Sequence, residues 1–365
     1  MKSNNNQIKV GLLYATNDAY AMATCVSLCS VLENNKNAIF DYQVKIIAYI
    51  YCDNWSSNSL QNLRNITDRY ECELHIMNPQ WCYKQLEASI ESDTYAGTFA
   101  AEVRLFAPYE IDVDYNIICL DSDVAMISGN NLFELATYDL KKHNACCAST
   151  IDMQNSRMIK KIANMGVHDH IYNIDGIFLV NPKLYKEYNI ENLLKTESKR
   201  VAYVLNPYWM MVRNGYVLRN VIVPLPMKYQ IYPPMNRLIR EKDWMFIFGL
   251  SYNEYYSKNE INEATANPVF VHYINWIVKK PWLSYPYIKE KIPFFDEWDK
   301  YQNLTNYKKI KKLDYQISIT ERIRYFMFHY FYHVYIFICG LVYRLEVKKR
   351  NSIVKQRARE KGVKL

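Results

Sequence analysis

The stretch that decides the fold is Tyr115-Asn116-Ile117-Ile118-Cys119-Leu120-Asp121-Ser122-Asp123-Val124. Its apolar, β-branched run predicts a buried strand, which ends in two carboxylates one residue apart. Because residues i and i+2 of an extended chain lie on the same side, Asp121 and Asp123 should face one place and Ser122 should point away. Two carboxylates so placed can hold a Mg²⁺ or Mn²⁺ ion that also binds phosphate. The alternative is a solvated Asp-Ser-Asp turn, since both residue types favour turns.

Upstream of this stretch, apolar runs of strand length alternate with segments of helical periodicity. Strands are expected at 8–14, 44–50 and 74–77, and helices at 20–34 and 56–70. This alternation predicts an α/β fold, a parallel sheet flanked by helices. In such sheets, ligands bind beyond the carboxyl ends of the strands. The loop expected at Ala15-Thr16-Asn17-Asp18 and the acidic pair both follow strands, so they should converge on one crevice.

Further candidate residues lie on both sides of the acidic pair. A helix is expected at 97–109, where Arg104 lies among apolar neighbours. A half-buried arginine needs an anionic partner, either in a structural salt bridge or in a substrate. A polar, turn-like segment at 172–176 precedes a strand expected at 177–181. His272 follows another apolar run and is either a structural residue or a ligand.

Charge is unevenly distributed along the 365 residues. The net charge is +8, but residues 341–365 contain nine Lys/Arg and two Glu, so the rest is nearly neutral. That pattern favours an anionic surface, membrane or nucleic acid, over a basic DNA-binding fold. Neither G-x-G-x-x-G nor G-x-x-x-x-G-K-[ST] occurs. Nine cysteines without a C-x-x-C motif indicate free thiols in a reducing compartment, and no signal-peptide core precedes the first strand, so we expect a cytoplasmic protein.

The C-terminal region combines an uncharged, aromatic-rich run with a basic tail. Residues 325–343 contain no Lys, Arg, Asp or Glu, and their number is close to the ~20 that a spanning helix needs. They are rich in Tyr and His, which prefer the membrane interface. Together with the basic tail, this predicts a helix lying on anionic lipid, with a true span as the alternative. The polar residues 286–316 are expected to form a linker.

Four segments occur in the order of a known family: Leu13 to Tyr20, Arg104-Leu105, Asp112 to Leu135, and His272 followed by Lys280-Pro281-Trp282. Through them, roughly residues 8–285 resemble the family-8 retaining glycosyltransferases, such as bacterial lipopolysaccharide galactosyl- and glucosyltransferases and glycogenin. The resemblance implies a GT-A fold, Rossmann-like with a mixed, mainly parallel sheet. It also implies a UDP-sugar donor, a divalent metal (usually Mn²⁺, with Mg²⁺ possible) and retention of the anomeric configuration.

The resemblance also implies roles for individual residues. Asp121, Asp123 and His272 fall on the metal ligands, and this mixed O/O/N set suits Mn²⁺ better than Mg²⁺. Lys280 falls on the lysine that meets the diphosphate, and Arg104 on the arginine that meets the donor. The donor-binding set is Ala15, Thr16, Asn17, Asp18, Arg104, Ser122 and Lys280.

Three features depart from the family pattern. The family usually has Phe-Asn-Ala/Ser-Gly where this chain has Asn173-Ile174-Asp175-Gly176, so Asn173 and Asp175 are the alternatives for the expected Asn. It usually has an Asp-Gln-Asp segment where this chain reads Leu205-Asn206-Pro207-Tyr208-Trp209. The His-to-Lys spacing is two residues longer than in the galactosyltransferases and lacks the usual Gly. The candidate catalytic residues are Arg104, Asp175 and Asn206.

These observations predict three parts: a nucleotide-sugar transferase domain at 1–285, the linker at 286–316, and a membrane-associating tail at 317–365. The expected function is transfer of galactose or glucose from a UDP-sugar to a saccharide or lipid-linked acceptor of a bacterial surface glycan (lipopolysaccharide, capsule or exopolysaccharide). The enzyme would be peripheral on the inner face of the cell membrane. A catalytically impaired UDP-sugar-binding relative is the alternative. A basic-tailed nucleic-acid-binding protein is disfavoured because the aromatic residues lie outside the basic segment.

Overall fold

The computed structural model describes residues 7–89, 100–143, 146–151, 171–202, 217–218, 220–231, 257–274, 280–284, 294–307, 313–314 and 318–360. Asn206 lies outside these residues, and so does the side chain of Asp175.

A mixed, mainly parallel sheet forms the centre of the fold. The strands are β1 Ile8–Asn17, β2 Val44–Asp53, β3 Glu73–Met77, β4 Ile117–Leu120, β5 Val124–Met126, β6 Cys146–Ile151, β7 Ile171–Val180, β8 Ile222–Pro224, β9 Phe270–His272, β10 Leu283–Ser284 and β11 Leu313–Asp314. Seven of them form one sheet in the order β3-β2-β1-β4-β7-β6-β8. β1 to β4 run parallel, whereas β7 is antiparallel to both β4 and β6. β5 and β9 form a separate antiparallel pair.

The helices pack on this sheet. They are α1 Ala21–Phe40, α2 Ser57–Arg69, α3 Gln80–Ser89, α4 Ala100–Phe106, α5 Phe133–Ala136, α6 Leu140–His143, α7 Pro182–Glu187, α8 Ile190–Ala202, α9 Lys258–Ala266, α10 Phe295–Asn303, α11 Ile319–Tyr330 and α12 Tyr332–Glu360. The central strands β1 and β2 are buried on both faces, which explains their near-continuous apolar sequences. The alternation predicted from the sequence is therefore confirmed.

Two local expectations were wrong. Ala15 to Asn17 continue strand β1, because pairing with β2 persists to the register Asn17 opposite Asp53. Residues 172–176 belong to strand β7 and not to a turn, because β6 provides a partner strand. The register between β6 and β7 shifts at Ala148 and Ser149, and such a shift lets polar residues lie within a strand.

The region expected to be a polar linker contains helix α10. Trp298 and Tyr301 of this helix are fully buried, and they pack against residues of α1, β5 and β9. The linker prediction is therefore wrong for these residues. The helix was not predicted because its first turn is acidic and its apolar stripe spans only nine residues.

The C-terminal residues form two helices, with the break at Phe331. Phe328 of α11 packs edge-on against Tyr335 of α12, with 5.6 Å between ring centroids. Many other apolar side chains of the two helices are exposed, among them Ile323, Phe326 and Phe337. None of the helices in the described ranges is long and apolar enough to cross a bilayer.

Candidate metal and nucleotide site

The acidic pair lies in a tight turn between β4 and β5. The Val124 N–H donates to the Asp121 carbonyl at 3.1 Å, and the Asp121 N–H donates to the Gly176 carbonyl of β7 at 2.9 Å. The extended geometry expected for these residues was therefore wrong. Their convergence was right, because the turn itself brings both carboxylates to one place.

His272 joins the two carboxylates through the short β5–β9 pairing. Val124 lies opposite His272 in this pair, and the Tyr273 N–H donates to the Asp123 carbonyl at 2.8 Å. The His272 Nε2 atom lies 3.2 Å from Asp123 Oδ1 and 3.7 Å from Asp121 Oδ2. One ligand atom from each of the three residues lies within 4.8 Å of the others. Antiparallel pairing thus unites groups that are about 150 positions apart in the sequence.

This donor set fits a divalent metal ion. Two carboxylate oxygens and one imidazole nitrogen are acceptable ligands for Mn²⁺ and related ions. The side chains of Asp121, Asp123 and His272 are 22%, 10% and 4% exposed, so the carboxylates are largely removed from water. Buried carboxylates are costly unless cations or hydrogen bonds compensate them. Such carboxylates therefore need cationic or hydrogen-bonding partners.

Two basic side chains already contact the carboxylates. Arg104 of α4 is 5% exposed and forms an ion pair with Asp121. The anionic partner that this arginine needs is thus a carboxylate of the same site. Lys280 forms an ion pair with Asp123 from the other side. Burial lowers the pKa of Lys280 to about 8, although the charge of Asp121 opposes this effect.

Gly176 closes the site from strand β7. Its N–H donates to Asp121 Oδ2 at 3.2 Å, and its φ of +61° lies in the left-handed region that favours glycine. A Cβ atom at this position would lie 2.5 Å from His272 Nδ1. The absence of a side chain therefore lets the imidazole approach the two carboxylates.

A model described as glycosyl transferase family 8 matches residues 11–285, which is most of the chain. The chain belongs to glycosyl transferase family 8. Among characterised proteins, this family-8 chain is similar to the lipopolysaccharide 1,2-glucosyltransferase of Escherichia coli. The two are 22% identical over 281 residues, which cover 74% of this chain and 72% of the relative.

The solved structures with a similar fold include two glycosyltransferases, WbbM and LgtC. One is the bifunctional glycosyltransferase WbbM in its apo form, with a TM-score of 0.58, 18% identity and coverage of 83% of this chain. This chain spans only 51% of the WbbM chain, about half its length. The other is the galactosyltransferase LgtC in complex with donor and acceptor sugar analogs, with a TM-score of 0.57 and 15% identity, covering 86% of this chain and 99% of LgtC. At these identities the likeness shows the fold, so the expected GT-A architecture is confirmed.

The carboxyl end of β1, with Asp18 after it, lies beside the family-8 acidic turn, as expected. Thr16 and Ser122 both lie within hydrogen-bonding distance of the Thr24 hydroxyl of α1, at 3.3 and 2.9 Å. These buried hydroxyls fasten the end of β1 and the acidic turn to α1. The Ser122 side chain therefore points away from the two carboxylates, which agrees with the expectation.

Other residues of this segment have different environments. Asp18 Oδ1 accepts hydrogen bonds from the N–H and hydroxyl of Ser56, at 3.0 and 3.2 Å, which connects the ends of β1 and β2. Hydrogen bonds from Ser59 and Ser56 lower the pKa of Asp18, so its exposed carboxylate is ionised. The Asn17 side-chain oxygen is buried and has no hydrogen-bond partner among the described residues. Ala15 is half-buried in β1.

Sequence reasoning missed two groups of residues. Thr24 belongs to a buried polar row on α1 with Ser27 and Ser30, and the three-residue spacing of this row is the signal that could have found it. An aromatic cluster beside Lys280 was also missed. Trp282 contacts Tyr20 edge-on and Trp298 at a tilt, with ring centroids 6.3 and 5.1 Å apart. No pattern in the sequence predicts this cluster, because its members come from three separate segments.

Proposed function

We propose that this family-8 member is a metal-dependent retaining hexosyltransferase. It would transfer galactose or glucose from a UDP-sugar to a bacterial surface glycan. The observation that carries the proposal is the triad of Asp121, Asp123 and His272, with ligand atoms within 4.8 Å. Lys280 and Arg104 contact its two carboxylates. The E. coli lipopolysaccharide glucosyltransferase and LgtC support the choice of hexose and the class of acceptor.

The chemistry of sugar transfer explains this arrangement. The leaving group is UDP, and its growing negative charge must be stabilised by fixed positive groups. A divalent ion held by the triad, Mn²⁺ or Mg²⁺, would supply Lewis-acid stabilisation of the diphosphate. Lys280 would contact the diphosphate, since its ammonium group already lies at the edge of the triad. Arg104 would fix the orientation of Asp121 and meet the donor.

Residues 15–18, at the carboxyl end of β1, are proposed to bind the nucleotide. They lie at the carboxyl end of a central parallel strand, where α/β sheets bind ligands. The Asn17 oxygen, which has no hydrogen-bond partner among the described residues, could accept a hydrogen bond from the base or ribose. Asp175 and Asn206 remain the proposed residues near the reacting carbon.

The two C-terminal helices are proposed to bind the inner face of the membrane. Exposed apolar side chains of α11 and the first half of α12 would enter the interface. Residues 344–360 of α12 contain seven Lys/Arg and two Glu, which would attract anionic lipid. Apolar and basic residues are thus separated along the length of α12 and not across its faces. The helical pair would place the site close to a lipid-linked acceptor.

The proposal is tested by UDP-sugar hydrolysis in buffer containing Mn²⁺, using the full-length chain. Asp123→Asn keeps the shape of the side chain but removes its charge, and we expect a loss of at least about 100-fold in turnover. Asp112→Asn is the control, because this carboxylate is fully exposed and lies 3.5 Å from Lys186, away from the triad. Unchanged turnover in Asp123→Asn would contradict the metal role.

A second function, UDP-sugar binding without transfer, is favoured by one observation. The segment Leu205-Asn206-Pro207-Tyr208-Trp209 lacks the carboxylates that the family usually has there. The same experiment separates the two functions. Mn²⁺-dependent UDP binding without hydrolysis of any UDP-hexose, and without transfer to an acceptor, would identify a binding protein.

A further inference from the structure

Helix α10 lies beyond residue 285, the last residue that the family model matches. It nevertheless packs against β5, which begins immediately after Asp123, and against β9, which ends at His272. These two strands, β5 and β9, pair over only three residues each. A two-stranded pair of this size is marginal on its own, so it needs support from a packed neighbour. Three sets of contacts from α10 provide that support.

The first set reaches the His272 side of the triad. Tyr273 follows His272 directly, and its ring packs edge-on against Trp298 with 5.3 Å between centroids. The Tyr273 hydroxyl donates to the Phe294 carbonyl at 2.7 Å, immediately before α10 begins. Because the Tyr273 N–H also donates to the Asp123 carbonyl at 2.8 Å, this residue links α10 to both ligands.

The second set reaches the Asp123 side. Strand β5 leads into Ser128, whose N–H and hydroxyl donate to Glu297 Oε2 at 3.1 and 2.5 Å. The Tyr301 hydroxyl lies 3.2 Å from the Ser128 oxygen and accepts from Asn34 Nδ2 at 2.7 Å. These contacts fix the far end of the strand that begins immediately after Asp123.

The third set reaches Lys280. The rings of Trp298 and Trp282 have centroids 5.1 Å apart, and the Lys280 ammonium lies 5.6 Å from the Trp282 ring centroid. Trp298 thus contacts both Tyr273, which follows His272, and Trp282, which lies beside Lys280. It belongs to a small apolar cluster that is separate from the main core, with Ala23, Val26, Ala125, Ile127, Val271, Tyr273 and Tyr301.

We propose that α10 is a positioning element that holds Asp123, His272 and Lys280 in register for metal and diphosphate binding. This inference rests on the proposed function. Tyr273 and Trp298 are its positioning residues, because both are buried and neither belongs to the triad. Because their cluster is separate from the main core, loosening it changes the site before it unfolds the sheet.

The test measures the Mn²⁺ affinity of the full-length chain in the presence of UDP, from the electron paramagnetic resonance signal of free Mn²⁺. Tyr273→Phe removes only the hydroxyl that donates to Phe294, and Trp298→Phe shrinks the ring between Tyr273 and Trp282. We expect the affinity to fall about tenfold in each, which is typical for residues that support metal ligands. Urea unfolding of the same samples measures global stability.

Tyr51→Phe is the matched control. Its buried hydroxyl donates to the Ala107 carbonyl at 3.2 Å in the main core, so it loses the same kind of hydrogen bond. We expect a similar loss of stability with unchanged Mn²⁺ affinity. Unchanged affinity in both Tyr273→Phe and Trp298→Phe overturns the inference, and so does an equal loss in Tyr51→Phe. If the unmodified chain binds no Mn²⁺ with UDP, the proposed function fails first and the positioning role fails with it.

Discussion

Substitution of Gly176 by alanine tests the site with a single methyl group. The added Cβ would lie 2.5 Å from His272 Nδ1 and 3.1 Å from Cε1, whereas ordinary contacts of this kind begin near 3.4 Å. The glycine belongs to β7 and is held to the acidic turn by two hydrogen bonds with Asp121. The backbone therefore cannot retreat easily, and the imidazole has to move.

The size of the effect follows from these distances. To restore normal contact, the ring must shift by about 1 Å, because packed interiors tolerate little overlap. A misplacement of about 1 Å in a catalytic constellation can cost about 100-fold in rate. Backbone strain adds to this, since a non-glycine residue at φ +61° costs about 1–2 kcal/mol of stability. We expect turnover and Mn²⁺ affinity to fall by about 100-fold.

Substitutions at two other glycines separate the effect of backbone strain from the effect of the steric clash. Gly129 has a φ of +86°, and nothing lies within 4 Å of an added Cβ, so Gly129→Ala introduces the strain without the clash. At Gly11 an added Cβ would lie 2.7 Å from Ile117 Cγ1 in the core, so Gly11→Ala introduces a clash away from the site. The assay combines UDP-sugar hydrolysis, Mn²⁺ titration and urea unfolding. Full activity in Gly176→Ala, or an equal loss of activity in Gly129→Ala, would refute the reasoning.

Two further predictions concern Lys280 and the tail. Lys280→Met should weaken UDP binding by about 10- to 100-fold, because a charged hydrogen bond is lost. It should not weaken Mn²⁺ binding without nucleotide, because the lysine pairs with Asp123, the carboxylate that the metal would also use. Lys228→Met, which breaks a surface pair with Glu134, is the control in calorimetric titrations, and weaker Mn²⁺ binding in Lys280→Met would argue against this role. Replacing the exposed Phe326 and Phe337 by serine should lower binding to anionic vesicles about tenfold for each residue, whereas Phe40→Ser on the body should leave it unchanged. Equal vesicle binding by all variants in sedimentation assays would exclude the membrane role of the helical pair.

Most of the sheet could be predicted because its signals are local. The runs that form β1, β2 and β4 are apolar and buried on both faces, and strands buried in this way have near-continuous apolar sequences. The antiparallel direction of β7 could not be read from its residues. It depends on which neighbour the strand meets, and that is decided by the whole fold.

The three residues of the candidate metal site were predictable from the sequence and the family resemblance, whereas the residues that pack around them were not. Asp121 and Asp123 stand out because two acids follow a buried strand, and the family resemblance supplied His272. Thr24 is marked only by the three-residue spacing of its buried polar row, and Trp298 has no sequence signal, since a buried indole looks the same in sequence whether or not it supports a ligand. Asp121 and Asp123 were expected to face one place from an extended strand, and they do face one place, but from a tight turn. The prediction of their convergence was therefore right, although the predicted backbone geometry was wrong.

The charges of the site link its geometry to its proposed chemistry. Asp121 and Asp123 bear two negative charges, and Arg104 and Lys280 bear two positive charges, so the four side chains are nearly balanced. A divalent ion alone would leave an excess of positive charge in a largely buried place, and a diphosphate alone would leave an excess of negative charge. Such imbalances are costly away from water. When both are bound, the charges of the metal ion and the diphosphate largely cancel. Metal and nucleotide should therefore bind more tightly together than either does alone.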